Sequence, residues 1–183
     1  IKTINEISIN HKLIISSFIN GLIAVCEGQA LDKEFELESN INKNQYNNMI
    51  ELKTGHLLGL SAELGALVGK ANSVNVKIMK EFGLLIGRAF QIQDDLLEIQ
   101  STNEKMGKTL GTDLLFLKKT CIIVECLKID KPRTEYIFSL AKKDLCKSKQ
   151  EIEKFITEVG IDNKIKDEIN TTINNAEKLL EKI

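Results

Sequence analysis

Across 183 residues, 43% are hydrophobic and 28% charged, a balance that excludes disorder and collagen and supplies enough apolar residues for one domain with a sizeable core. Eleven glycines, one proline and 5% aromatic residues are too few turn-formers for an all-β chain, so an all-helical fold is expected. With 25 basic against 26 acidic residues the net charge is −1, which leaves no overall field to attract nucleic acid or an anionic membrane. Any anion must be bound locally.

Apolar residues recur at three and four along nearly the whole chain, which is helical spacing. The first helix carries Ile7, Ile14, Phe18, Leu22 and Val25 on one stripe, and the stripe turns polar at Gln29 and Asp32. Its longest uncharged stretch, Leu13 to Cys26, contains Ser16, Ser17, Asn20 and Gly21, too short and too polar to span a bilayer. A core helix and no membrane span are predicted. After an Asn-rich turn (Asn40 to Asn48) a second helix is predicted from about Gln45 to Ala71, with Met49, Leu52, His56, Leu60, Leu64 and Leu67 inward and Lys53 beside them. A break at Asn72 to Asn75 precedes a third helix through about Ile99. A polar loop with Gly107 and Gly111 leads to a helix carrying Leu114, Leu117, Cys121, Val124 and Leu127.

Lys131-Pro132-Arg133 is a turn whose proline opens the next helix, and Gly160 followed by Asp162 reads as a helix stop and a new N-cap. The last helices hold Ile165, Ile169, Ile173, Ala176 and Leu180. Neither a repeat nor a linker interrupts the chain, so residues 1–183 read as a single all-helical domain. The cysteines at 26, 121, 126 and 146 lack CxxC spacing and sit among apolar neighbours; they read as reduced core thiols, and an intracellular, cytoplasmic setting is expected.

Chemistry concentrates on the third helix. Gln91, Asp94, Asp95 and Glu98 stand at i, i+3, i+4 and i+7, so at about 100° per residue they share one face, with Phe82, Ile86, Ala89, Ile92 and Leu96 opposite. Three stacked carboxylates repel one another and call for a cation. A hard ion such as Mg²⁺ fits, since it takes one or two carboxylates and keeps waters and phosphate oxygens as its other ligands. A solvated acidic face is the plainer alternative for a lone DDxxE. Lys53, Lys108 and Lys118, each read alone, are equally well ordinary surface lysines.

Four segments alter that balance by their order: Gly28-Gln29-Ala30-Leu31-Asp32, Lys53-Thr54-Gly55, Phe90-Gln91 running into Asp94-Asp95 and Glu98, and Gly107-Lys108 running through Gly111 and Asp113 to Lys118-Lys119-Thr120. Together they resemble the trans-isoprenyl diphosphate synthases, the polyprenyl synthetase family, closely from about Phe18 to Leu127. The resemblance implies an all-α helical bundle around a central cavity. It implies Mg²⁺-dependent condensation of isopentenyl diphosphate with an allylic diphosphate, usually in a homodimer. By position it makes Asp94, Asp95 and Glu98 metal-binding, with Glu98 where the family usually has Asp. Lys53, Thr54 and Gln91 would line the allylic substrate beside Asp94, and Lys53, Lys108 and Lys118 would hold its diphosphate. Gln29 and Asp32 would form a polar pair near the metal. No second DDxxD-like cluster occurs in these residues, and the chain opens at Ile1 within a helical pattern. The expectation is a synthase whose N-terminal helices are missing and which is inactive alone; the alternative is a non-catalytic regulatory subunit or degenerate homologue.

Overall fold

The computed structural model describes residues 11–100 and 112–183. Among them every regular element is helical: α1 (His11–Leu37), α2 (Lys43–Ile50), a π-helical turn (Glu51–Gly55), α3 (His56–Val68), α4 (Ser73–Gln100), α5 (Thr112–Leu115), α6 (Cys121–Ile129), α7 (Lys131–Ala141), α8 (Leu145–Glu158) and α9 (Ile161–Leu180). The all-helical expectation holds. The chain folds as two compact units, one of residues 1–30, 48–90 and 170–183, the other of 31–47 and 91–169. Helices α1, α2, α4 and α9 each contribute residues to both.

In the first unit, α1 meets the π-helical turn at Gly28. A Cβ there would stand 2.2 Å from the Lys53 nitrogen, so only glycine permits this approach. Gly87 of α4 is also close, its ideal Cβ falling 2.7 Å from the Gly55 backbone. The buried face of α1 runs through Ile14, Gly21, Ala24 and Gly28; of the predicted stripe Ile14 is buried, Phe18 and Val25 are half-buried and Leu22 is 45% exposed. Over an 18-residue window helix α1 is long and apolar enough, by length and composition, to cross a membrane, a property that core helices share. At the end of α3 the Ala71 N–H donates to the Ala66 carbonyl at 3.0 Å and the Lys70 N–H to that of Leu67 at 3.1 Å, closing a Schellman motif with Lys70 at φ 61°.

In the second unit, α2 opens on a reciprocal cap: the Asn42 N–H donates to Gln45 Oε1 (2.9 Å) and the Gln45 N–H to Asn42 Oδ1 (3.0 Å). The helix predicted to run through Leu114 and Leu127 is broken in two. Leu117 takes a left-handed φ of 55°, and Thr120 turns extended to cap α6 by accepting from the Ile123 N–H. Asp130 and Asp144 cap α7 and α8. Gly160, at φ 70°, ends α8, and α9 begins at Ile161, so Asp162 lies within its first turn and is not its cap. Helices α5 to α8 pack on one another over Leu114, Ile122, Ile137, Ile152 and Phe155. Cys121 and Cys126 are buried as expected, but Cys26 and Cys146 are exposed because their helices turn those positions outward.

Candidate active site

The acidic face of α4 is not a solvated one. Asp95 is 5% and Glu98 4% exposed, and Asp94 and Gln91 are half-buried. Burial of ionisable carboxylates is costly unless donors meet them. Asp95 has three: the Tyr46 hydroxyl (2.8 Å) and the Cys121 N–H (3.0 Å) donate to Oδ2, and Gln91 Nε2 donates to Oδ1 at 3.0 Å. Burial pushes the Asp95 carboxyl up to about 6, with Asp113 adding to the rise and the three donors opposing it. Tyr46 is raised well above the usual phenol range, first by burial and then by Asp95, so it remains a donor.

Asp95, one of the expected metal ligands, thus accepts two hydrogen bonds on Oδ2 and one on Oδ1. Among the described residues no three His, Cys, Asp or Glu side chains converge as a metal cage. An ion such as Mg²⁺ that takes one or two carboxylates and completes its shell with waters and phosphate oxygens needs no such cage, and the carboxylates on this face of α4 are Asp94, Asp95 and Glu98.

A second charged group lies in the same unit. Lys118 pairs with Asp113 at 2.8 Å. Burial lowers the Lys118 ammonium, but Asp113, Asp32 and Glu36 outweigh it and the net shift is upward, so the group stays charged. Lys119, 7% exposed, donates to the Leu117 carbonyl at 2.8 Å and is lowered by burial. The left-handed turn at Leu117 thus aims both lysines inward.

The remaining expected residues are placed as follows. Asp32 is half-buried within range of Lys118, and Gln29, one turn earlier on α1, is exposed. Lys53 and Thr54 are half-buried on the π-helical turn of the first unit. Such turns recur at functional sites because they re-aim side chains within a helix. Lys108 lies outside the described residues. The residue that sequence reasoning missed is Tyr46. Nothing in a period or a motif marks it, because its partner is 49 positions away.

The fold is all-helical, and the chain belongs to the polyprenyl synthetase family, which it matches over residues 2–159. It is 36% identical over 135 residues to a geranylgeranyl diphosphate synthase of Sulfolobus acidocaldarius, covering 74% of this chain and 41% of that one. It is 42% identical over 106 residues to a short chain isoprenyl diphosphate synthase of Methanocaldococcus jannaschii, covering 58% of this chain and 32% of the relative. Among solved structures, a geranylgeranyl pyrophosphate synthase superposes with a TM-score of 0.89 at 25% identity, over 96% of this chain and 56% of that one. The corresponding enzyme of Pyrococcus horikoshii Ot3 gives 0.75 at 30% identity, over 91% and 52%. The chain thus spans less than half the length of these two curated relatives.

Proposed function

We propose that this chain carries the diphosphate-ionising part of a prenyltransferase that condenses isopentenyl diphosphate with an allylic diphosphate. The observation that carries the reading is the gathering, in one compact unit, of a half-buried Asp94 on an acidic helix with the Asp113–Lys118 pair and Asp32. The names of the relatives support the substrate class.

Breaking the allylic C–O bond leaves negative charge on the departing diphosphate and positive charge on the allyl group. Bound Mg²⁺ would supply charge neutralisation on the diphosphate, and Asp94 is the carboxylate to hold it. Lys118 adds a part-buried cation that Asp113 holds in place, so little reorganisation is needed as the bond breaks. Lys53 and Lys108 are assigned the same duty, and Thr54 and Gln91 line the allylic group. In this reading Asp95 orients the helix and holds no metal itself. Isopentenyl diphosphate then attacks the allylic cation and loses a proton. A homodimer belongs to the proposal; exposed Leu13, Ile19, Leu22 and Ile23 on α1 support an apolar contact surface. The experiment is incorporation of radiolabelled isopentenyl diphosphate into an allylic primer by the protein at its natural length. Mg²⁺-dependent formation of a longer isoprenyl diphosphate is expected, and absence of incorporation with every allylic primer would overturn the proposal.

A further inference from the structure

We infer that Tyr46 is a positioning residue, which fixes the acidic face of α4 by clamping Asp95 and so presents Asp94 to the metal–diphosphate complex. The inference rests on the reading of Asp94 given above and goes beyond it, since Tyr46 lies outside every motif read from the sequence.

Three segments of the second unit meet on one carboxylate. Tyr46 of α2 is wholly buried and reaches Asp95 Oδ2 at 2.8 Å; the N–H of Cys121, the first residue of α6, reaches the same oxygen at 3.0 Å. That N–H is one of the donors a helix start leaves without an intrahelical partner, so Asp95 answers a need of α6 as well. Gln91, one turn back on α4, holds Oδ1 at 3.0 Å. Behind the phenol ring, the Lys43 ammonium stands 5.3 Å from the ring centroid and pairs with Glu168 at 2.9 Å, which backs the ring from α9.

Successive residues of a helix are rotated by about 100°, so fixing the direction of Asp95 fixes that of Asp94. Removing the Tyr46 hydroxyl leaves Oδ2 with the Cys121 N–H alone and lets the carboxylate and the helix azimuth relax. A partner bonded directly to a metal ligand governs metal affinity by about 10–100-fold; Tyr46 acts one step further out, through Asp95, so the lower end of that range is expected.

The test is binding of Mn²⁺ together with inorganic diphosphate to the full chain, followed by electron paramagnetic resonance, with helix content and thermal unfolding recorded for each variant. Asp94→Asn should abolish the complex; unchanged binding there would defeat the reading of Asp94 itself. With Asp94 confirmed, Tyr46→Phe should weaken the complex by about tenfold while helix content is unchanged. Wild-type affinity in Tyr46→Phe would overturn the inference. Asp95→Ala should weaken it similarly, and Tyr46→Phe should add nothing in that background, because both remove one lock. Additive losses would show that Tyr46 acts by another route. Should Tyr46→Phe fail to fold, Asp95→Asn decides: it can still accept from Tyr46 and Cys121, so affinity within about threefold of wild type is expected. Its loss in a folded variant would make Asp95 a metal ligand and overturn the positioning role.

Discussion

Asp95→Asn isolates the cost of burying a charge on α4. The folded-state carboxyl is raised to about 6, against about 3.9 for an unfolded aspartate. A raised acid binds its proton more tightly when folded. Its contribution to stability is therefore greatest below about pH 4 and declines as pH climbs toward 7. A shift of about two units corresponds to roughly 3 kcal/mol, of which roughly 2 kcal/mol develops between about pH 4.5 and pH 7. Asparagine carries no charge to desolvate. Its Oδ1 can accept from Tyr46 and the Cys121 N–H, and its Nδ2 can donate to Gln91 once that amide turns over. Urea unfolding in metal-free buffer measures the difference between variant and wild type. The variant's advantage should grow by roughly 2 kcal/mol over that range. A difference that stays flat with pH, or that favours wild type more at pH 7, would refute the view that Asp95 is held ionised at a desolvation cost.

Other substitutions probe separate parts of the account. Gly28→Ala places a Cβ 2.2 Å from the Lys53 nitrogen and should destabilise the protein by about 3 kcal/mol in urea unfolding, since backbone must move. Lys70→Gly, at an exposed left-handed position, should stabilise it by about 1 kcal/mol in the same assay. Lys118→Gln and Lys53→Gln should each slow the chemical step in single-turnover kinetics with little change in melting temperature, because the charge they meet develops as the bond breaks. Residues 1–183 assayed alone should bind Mg²⁺ and diphosphate weakly and give no condensation product, since they hold one acidic cluster of this spacing.

Local signals in the sequence were readable wherever one segment decided the outcome. The proline after Lys131 and the ordered motifs each work within a few residues, whereas Asn72, read as part of a break, is a cap that accepts from the Val74 and Asn75 N–H groups. The acidic face of α4 was legible because helical spacing alone brings Gln91, Asp94, Asp95 and Glu98 together. Its burial was not, since that depends on α2 and α6. The left-handed Leu117 broke a pattern that periodicity carried straight through, because leucine gives no sign of positive φ. The inward face of α1 follows from close approach of its neighbours, which selects Gly21 against Leu60 of α3 and Gly28 against the π-helical turn, whereas a hydrophobic stripe selects the large residues. Asp95 shows the limit most clearly. Two adjacent aspartates look alike in a motif, and the tyrosine that holds Asp95 stands 49 residues away.

The central claim is that Asp94 holds the metal–diphosphate complex during prenyl transfer. The most direct measurement is turnover of Asp94→Ala in the protein at its natural length, with isopentenyl diphosphate and an allylic diphosphate at saturating Mg²⁺, alongside circular dichroism. The account predicts a fall of orders of magnitude in kcat with helix content unchanged. Wild-type turnover by a folded Asp94→Ala variant would contradict it.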